Sequence, residues 1–208
     1  YDSTKRKLFL ARDRAGEKPL YYRHTGKELR FASELKALLA DNSVARSLDK
    51  VALEFYLAYG YVPGADCILQ GFQKLAPGYA LFYELDSDSL NTWQYWDLPE
   101  FAGGIVDDAA LLDELEFLLE DSVRKQLTAD RSVGILLSGG LDSSLITAMA
   151  VRTTPKVKTF TASFPGYGSL DEAKHARLIA DYFAPEHVEL EVSQQEASAL
   201  LPRLARQF

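Results

Sequence analysis

The sequence predicts an α/β protein in two parts, an antiparallel, strand-rich part followed by a part built on a parallel sheet. Up to residue 98, short apolar runs are separated by turns that contain Gly or Pro, which is typical of strands. From residue 107 onward, strand-like segments alternate with helix-like segments. Pro99, Gly103 and Gly104 interrupt the pattern between them. We therefore predict a first domain over residues 1–98, a linker over 99–106 and a second domain over 107–208.

In the first part, apolar runs bounded by turn residues predict strands over residues 7–11, 20–23, 29–32 and 79–85. The second and third strands flank His24-Thr25-Gly26, which predicts a hairpin. A short amphipathic helix is predicted over 33–40. Asp49 is placed to cap a second helix, because its carboxylate can accept hydrogen bonds from the free N–H groups of the first turn. Pro63-Gly64 should end that helix.

In the second part, leucines that recur near the helical period predict a long amphipathic helix over 107–127. Three apolar strands and two helices then alternate, with the strands over 132–137, 157–164 and 187–192 and the helices over 141–152 and 171–183. Strands that alternate with helices of this length imply crossover connections. We therefore expect one parallel sheet with helices on both of its faces.

Charge and cysteine content narrow the classes of function. A formal net charge of -7 over 208 residues, without long runs of one sign, argues against a general binder of nucleic acid or anionic membranes, because such proteins need a basic face. The single cysteine, Cys67, cannot form an intramolecular disulfide, so we expect a reducing, cytoplasmic setting. Its apolar neighbours predict a buried packing role. No stretch approaches the roughly twenty apolar residues of a membrane helix.

The chain begins without Met and stops within an apolar pattern. We therefore expect the natural polypeptide to continue beyond both ends.

The segment with recognisable chemistry follows the strand predicted over 132–137. It is the string Ser138-Gly139-Gly140-Leu141-Asp142-Ser143-Ser144. Ligands of open parallel sheets bind beyond the carboxyl ends of strands, and glycines without Cβ atoms let the backbone approach a phosphate closely. The N–H groups at the start of the next helix favour negative charge. The serine hydroxyls add donors, and the acid Asp142 suits a Mg²⁺ ion that bridges phosphates.

A purely structural alternative also explains this string, namely a Gly-rich turn in which Asp142 or Ser143 only caps the following helix. The spacing does not fit the Gly-x-x-x-x-Gly-Lys phosphate loop, the Gly-x-Gly-x-x-Gly dinucleotide turn or the Gly-x-Ser-x-Gly nucleophile elbow. It does resemble the Ser-Gly-Gly-x-Asp-Ser pyrophosphate loop of the ATP pyrophosphatase superfamily. Members of that superfamily split ATP into AMP and pyrophosphate to activate a carboxylate or carbonyl group.

Further strings resemble the glutamine-dependent asparagine synthetase family over essentially the entire chain. The last part of that family's N-terminal glutaminase domain is resembled by residues 10–22, 31–38, 59–63, 74–78 and 95–97. The beginning of its synthetase domain is resembled by residues 136–144, 158–164 and 170–172, together with His187. The resemblance implies the end of an N-terminal-nucleophile α+β sandwich domain, followed by a parallel-sheet domain like that of the adenine-nucleotide α-hydrolases.

The resemblance also implies a two-site enzyme. A glutaminase site releases ammonia from glutamine, and a synthetase site adenylates aspartate with ATP so that ammonia can displace AMP. The glutaminase nucleophile of the family is an N-terminal cysteine, and Tyr1 begins too far into the domain to include it. We therefore assign no catalytic residue within this chain, and expect it in isolation to bind ATP with magnesium weakly and to catalyse nothing. A homodimer stays open as the assembly.

By the same resemblance, the nucleotide-binding residues are Leu136, Ser138, Gly139, Gly140, Leu141, Asp142, Ser143, Ser144 and Ala162. Leu136 and Ala162 would contact the adenosine moiety mainly through backbone groups, and Asp142 would hold the magnesium ion. Leu136 has a second interpretation, because an apolar strand residue would be buried in any parallel sheet.

Two other functions stay open. One is a related enzyme on the same scaffold, such as a β-lactam synthetase or another amidotransferase. The residues that select the acyl substrate, and the family's second acidic loop, are expected beyond Phe208. The other is a non-catalytic module that binds nucleotide or a partner protein.

Three smaller features have structural interpretations. Ser169 and Glu172 match a capping box at the start of a helix. Arg12, Asp13 and Lys18 are expected to form a structural ion-pair cluster under the glutaminase sheet. The histidines lack ligand spacing, so we predict no histidine metal site for His24, His175 and His187.

Overall fold

Strand pairing in the first half of the chain produces two three-stranded antiparallel sheets. The computed structural model describes residues 1–100, 103, 107–168 and 171–207, with side chains described to residue 204. The chain divides into two units, Tyr1–Ala102 and Gly103–Phe208. The first unit contains β1 (Lys7–Ala11), β2 (Tyr21–Thr25), β3 (Glu28–Ala32), α1 (Leu35–Leu38), α2 (Lys50–Tyr59), β4 (Gln73–Lys74), β5 (Tyr79–Glu84) and β6 (Ser89–Gln94).

The two sheets of the first unit share an apolar core. One sheet has the order β1-β5-β6 and the other the order β3-β2-β4. Alternate residues of β2 and β5 point into one buried cluster, which contains Tyr22, Leu75, Leu81 and Tyr83. A second cluster forms around Cys67 and Phe72 with the α1 residue Leu38. Cys67 is only 5% exposed, which confirms its predicted packing role.

Local capping explains the extent of α2. The Asp49 carboxylate accepts a hydrogen bond from the Ala52 N–H at 3.0 Å, as predicted. The helix ends earlier than predicted, because Gly60 adopts a left-handed conformation at φ 79° and its N–H donates to the Tyr56 carbonyl. Pro63-Gly64 therefore follows the helix and does not end it. The helix predicted over 33–40 is also shorter in the structure, where α1 has four residues.

The strand predictions were accurate where apolar residues alternate. β1 has the predicted bounds, and β2 and β3 form the predicted hairpin. Thr25 pairs with Glu28, so the turn lies at Gly26 and the next residue, and His24 belongs to β2. We did not predict β6, whose sequence is mostly polar. It is an edge strand in which no residue is buried, so few of its side chains need to be apolar.

The predicted ion-pair cluster is instead a set of hydrogen bonds to the backbone. The Arg12 guanidinium donates to the carbonyl oxygens of Gly16, Lys18 and Leu75 at 2.8, 3.1 and 2.8 Å. The Asp13 carboxylate accepts hydrogen bonds from the N–H groups of Lys18 and Glu17, and these bonds, chiefly the one from Lys18, lower the pKa of Asp13. Arg12 can serve three carbonyls because its planar fork carries five donors.

The second unit is a helix followed by a parallel sheet with crossover helices. Its elements are α3 (Asp108–Gln126), β7 (Gly134–Leu136), α4 (Leu141–Thr153), β8 (Lys158–Ser163), α5 (Ala173–Phe183), β9 (Glu186–Glu191) and α6 (Gln194–Gln207). The strands pair in the order β7-β8-β9, and both pairs are parallel, as predicted. None of the helices within the described residues is long and apolar enough to cross a membrane.

Within the described residues, α4 and α5 pack on one face of this sheet, which corrects the prediction that both faces are covered. Ile135 packs with Met149 of α4, and Leu137, two residues further on, packs with Ala176 of α5. Residues two apart on a strand share a face, so α4 and α5 lie on the same side. Right-handed crossovers that advance in one direction along a sheet place successive helices on the same face. In the described residues the opposite face is exposed, with Leu136 on it.

Candidate functional site

The string singled out by sequence lies at the carboxyl edge of the parallel sheet. β7 ends at Leu136, and α4 begins at Leu141. Leu137 continues the ladder, because its N–H donates to the Phe160 carbonyl at 2.8 Å. The Leu137 carbonyl in turn accepts a hydrogen bond from the buried hydroxyl of Thr161. Both the N–H and the carbonyl of Leu137, where the loop leaves β7, are therefore hydrogen-bonded to β8.

Gly139 is the residue that the loop geometry requires most strictly. It has φ 79°, in the left-handed region where residues with side chains are strained. A Cβ atom built on Gly139 would lie 2.5 Å from the Ala176 nitrogen and 2.5 Å from the His175 carbonyl carbon. These atoms belong to the first turn of α5. The loop that precedes α4 therefore packs directly against the backbone of α5. Only glycine fits there without displacing α5.

Three hydroxyl groups hold the turn together. Ser138 Oγ accepts from the Gly140 N–H at 3.3 Å and lies 3.1 Å from Ser143 Oγ. The Ser144 hydroxyl donates to the Gly140 carbonyl at 2.7 Å, and the Ser143 hydroxyl lies 3.2 Å from the same oxygen. These contacts hold residues 138–140 at the N-terminus of a 13-residue helix. The N-terminus of a helix favours an anion, because it presents the N–H groups of the first turn and the positive end of the helix dipole.

Asp142 is exposed on the first turn of α4. The N-cap of α4 is Gly140, with no side-chain hydrogen bond that caps the helix. The structural alternative, in which Asp142 or Ser143 caps the helix, is therefore wrong. The Ser143 hydroxyl is used within the turn, whereas no hydrogen bond or ion pair engages the Asp142 carboxylate within the described part of the chain. An exposed, uncommitted carboxylate beside an anion-favouring turn is suited to a cation that accompanies the anion.

Leu136 and Ala162 lie on neighbouring strands at the same edge of the sheet. Leu136 pairs with Phe160, two residues before Ala162, so the two side chains share the helix-free face. Leu136 is 82% exposed, whereas Leu137 is 1% exposed. The interpretation of Leu136 as an ordinary buried strand residue is therefore wrong for the described chain, because α4 and α5 cover the other face.

Sequence reasoning missed the role of Asp171. Its Oδ1 accepts hydrogen bonds from the Phe164 N–H and the Ala173 N–H, both at 3.2 Å, and the Ser163 hydroxyl lies 3.4 Å from Oδ2. The hydrogen bond from the Phe164 N–H, and to a smaller extent the one from the Ala173 N–H, lowers the pKa of Asp171. The sequence does contain a signal for this role, because Asp171 lies two residues before the helix begins, where a carboxylate can accept from the free N–H groups of the first turn.

The capping box proposed for this position involves Ser169, which lies outside the described residues. Glu172 is the N-cap of α5 and makes no capping hydrogen bond through its side chain.

Comparison with known proteins supports the resemblance along both units. The profile of the family described as "Glutamine amidotransferase domain" matches residues 1–96, and that described as "Asparagine synthase" matches residues 114–208. A Methanocaldococcus jannaschii protein named "Putative asparagine synthetase (glutamine-hydrolyzing) 2" is 35% identical over 189 residues, which is 90% of this chain and 36% of that protein. This chain belongs to the glutamine-hydrolysing asparagine synthetase family.

Other members of the asparagine synthetase family are similar over comparable lengths. Asparagine synthetase (glutamine-hydrolyzing) 1 of Bacillus subtilis is 32% identical over 204 residues, covering 97% of this chain and 31% of that protein. Asparagine synthetase (glutamine-hydrolyzing) 3 of the same organism is 38% identical over 153 residues, covering 72% and 24%. The chain therefore spans about a third, or less, of the length of these relatives.

Two histidines of this chain, His24 and His187, make hydrogen bonds in different parts of the structure. His24 Nε2 lies 2.9 Å from Asp88 Oδ1, and His187 Nδ1 lies 2.8 Å from the Thr159 hydroxyl. The described residues contain no group of three or more His, Cys, Asp or Glu side chains arranged to hold a metal ion. Within the loop, Asp142 could supply one carboxylate to an ion of the magnesium type, which takes one or two carboxylates and completes its shell with phosphate oxygens and water.

Proposed function

We propose that this chain is the central part of a glutamine-dependent asparagine synthetase. Residues 1–98 would belong to its glutaminase domain, 99–106 to a linker, and 107–208 to its ATP-using synthetase domain. The observation that carries the proposal is the segment over 138–142, which combines Gly139 in a left-handed conformation with the uncommitted carboxylate of Asp142 at the edge of a parallel sheet. The division of the chain into units at residues 102 and 103 supports the domain assignment.

The proposed reaction joins two sites. Glutamine hydrolysis supplies ammonia, and ATP adenylates the side-chain carboxylate of aspartate with release of pyrophosphate. Ammonia then attacks the activated carbonyl carbon, and AMP leaves with the bonding electron pair. Electrostatic stabilisation of the phosphate charge is the contribution expected from the described residues.

The loop residues have distinct parts in this proposal. The backbone at Gly139, Gly140 and Leu141 approaches the β- and γ-phosphates, and the hydroxyls of Ser138, Ser143 and Ser144 rotate from their internal contacts to donate to phosphate oxygens. Asp142 holds the magnesium ion, which neutralises phosphate charge when bound. Leu136 and Ala162 contact the adenosine moiety, and the exposure of both residues on one sheet face supports this assignment.

The folds proposed for the two units follow the same family. Two antiparallel sheets that share a core support an N-terminal-nucleophile sandwich for the first unit. A parallel ladder with crossover helices supports an adenine-nucleotide α-hydrolase-like fold for the second. We also propose a cytoplasmic location, which the lone buried thiol of Cys67 supports. We also propose a homodimer, which measurement of the molecular mass by sedimentation would test.

The test uses the complete natural polypeptide with ATP, magnesium and aspartate, and measures pyrophosphate and asparagine. We expect pyrophosphate release that depends on aspartate, and asparagine formation with either glutamine or ammonium as nitrogen source. Pyrophosphate formed with another carboxylate, but not with aspartate, would assign a related amide-forming or cyclising enzyme. ATP binding without pyrophosphate release under any of these conditions would indicate a non-catalytic nucleotide-binding module.

A further inference from the structure

The proposed phosphate and adenosine contacts lie on different strands, and something must fix the distance between them. The loop follows β7, whereas Ala162 belongs to β8. Direct contacts between the strands fix only the base of the loop, through the Leu137 N–H to the Phe160 carbonyl and the Thr161 hydroxyl to the Leu137 carbonyl. The tip of the loop, at Gly139, projects beyond the sheet and is not part of this ladder.

The tip of the loop rests against α5. The built Cβ of Gly139 lies 2.5 Å from the Ala176 nitrogen and 2.6 Å from the His175 Cβ. Leu137 and Ala176, both essentially without exposed surface, belong to one apolar cluster immediately below this contact. Because a closely packed interior transmits displacements of its parts, a shift of the first turn of α5 must shift Gly139.

Asp171 ties that first turn to the end of β8. Its Oδ1 accepts from the Ala173 N–H of α5 and from the Phe164 N–H, and Oδ2 contacts the Ser163 hydroxyl. Ser163 and Phe164 directly follow Ala162. One carboxylate therefore connects the strand end that carries the proposed adenosine contact to the helix that supports the proposed phosphate loop.

We propose that Asp171 is a positioning residue for nucleotide binding, which sets the distance between the phosphate and adenosine subsites by holding α5 to the end of β8. This inference rests on the proposed function for its ligand, ATP, and for the places of the phosphate and adenosine subsites. Asp171 acts as a hydrogen-bond acceptor for two backbone N–H groups. An amide oxygen in the same place can accept both bonds, although bonds to a carboxylate are stronger, so we expect most of the positioning to survive the loss of the charge.

Three substitutions separate this role from the alternatives. Asp171→Ala removes every contact of the carboxylate. Asp171→Asn keeps an oxygen acceptor and can donate its amide N–H to the Ser163 hydroxyl. Asp171→Ser keeps a hydroxyl that can cap the Ala173 N–H, as serine commonly does, but one short side chain cannot also reach the Phe164 N–H. Asp181→Ala is the matched control, because Asp181 is an exposed acid further along the same helix.

The experiment measures the dissociation constant for ATP with magnesium by titration calorimetry on the complete polypeptide, and the melting temperature of each variant. Asp171→Ala and Asp171→Ser should weaken ATP binding about tenfold, the factor expected when one or two positioning hydrogen bonds are lost. Asp171→Asn and Asp181→Ala should bind within about threefold of wild type. Glutamine hydrolysis, which uses the other unit, should be unchanged in all four.

Two results would overturn the inference. If folded Asp171→Ser binds ATP like wild type, Asp171 only caps α5. If Asp171→Asn binds as poorly as Asp171→Ala although it keeps an oxygen acceptor, the two backbone hydrogen bonds do not account for the effect, and the inference fails. A wild-type protein that binds ATP but forms no pyrophosphate would end the proposed function, while the comparison of dissociation constants would still decide the role of Asp171.

Discussion

Gly139 and Ala176 are separated by so little space that a Cβ on the glycine would come within 2.5 Å of the Ala176 nitrogen. The relationship joins a loop after the first parallel strand to a helix that begins more than thirty residues later. It means that the loop geometry is set by the packing of α5 as well as by the residues of the loop.

Gly139→Ala should therefore be damaging in two ways. The left-handed φ and the contact with α5 together should cost about 2 kcal/mol or more of local stability, and ATP binding should fall with it. Native-state hydrogen exchange of amides in α4 and α5 measures the first effect, and calorimetry the second. Gly26→Ala is the control, since Gly26 has φ 59° with nothing within 4 Å of a built Cβ. Normal ATP binding by Gly139→Ala would show that the loop does not need this geometry.

Asp142→Asn should affect activity and leave the fold intact. The substitution keeps the size of the side chain and removes the charge that magnesium prefers, so the free energy of unfolding should change by less than about 1 kcal/mol. Pyrophosphate release in the complete enzyme should fall on the order of a hundredfold or more, because phosphate charge is stabilised mainly during adenylation. Glutamine hydrolysis should largely persist.

The control for Asp142 is Asp108→Asn, which alters another exposed aspartate in the first turn of a helix. It should change neither activity. If Asp142→Asn instead unfolds the protein while the folded remainder releases pyrophosphate at the normal rate, the carboxylate has a structural role.

Leu136 and Leu137 form a matched pair, because they are adjacent leucines on opposite faces of the sheet. Leu137→Ala should cost about 2–5 kcal/mol, since it leaves a cavity beneath α5. Leu136→Ala should stay within about 0.5 kcal/mol of wild type, as expected for an exposed position. ATP affinity should also change little, because the proposed contact uses the Leu136 backbone. Urea denaturation compares the two variants, and an equal loss of stability would show that Leu136 is buried in the native protein.

Asp41 should make stability depend on acidity. Hydrogen bonds from the hydroxyl and the N–H of Ser43, and to a smaller extent from the Arg30 guanidinium, lower the pKa of Asp41 to about 2. A carboxyl whose pKa is lower in the folded state stabilises the protein above its unfolded pKa of about 3.9, and this contribution is lost as the pH falls through the folded value. Asp41→Asn should therefore melt below wild type at pH 6.

The difference in melting temperature between Asp41→Asn and wild type should shrink between about pH 4 and pH 2. Asp113→Asn, at an exposed position on α3, provides the comparison. A difference for Asp41→Asn that stays constant over this range would show that the carboxylate contacts do not stabilise the folded state.

Local signals in the sequence predicted most of the elements. Asp49 caps α2 as predicted, because a cap depends on residues three positions apart. The parallel sheet was predicted from the alternation of apolar strands with amphipathic helices. The polar edge strand β6 was missed, since its pairing with β5 leaves little periodic signal.

Features that depend on distant contacts were not predictable from one sequence. The exposure of Leu136 follows from the face on which α4 and α5 pack, and the string around Leu136 does not encode that choice. The contact between Gly139 and α5 joins residues far apart in the chain. Asp171 was passed over because its neighbours Ser169 and Glu172 matched a familiar capping pattern, although the carboxylate reaches back to Ser163 and Phe164.

The contacts of Arg12 determine how one junction within the first unit responds to salt. A cluster of exposed ion pairs weakens as ionic strength rises, because dissolved ions screen charges from one another. Arg12 instead donates to three neutral carbonyl groups, at Gly16, Lys18 and Leu75. Screening acts weakly on hydrogen bonds of this kind. The junction between residues 12–18 and the chain near Leu75 should therefore hold equally well in dilute buffer and in concentrated electrolyte.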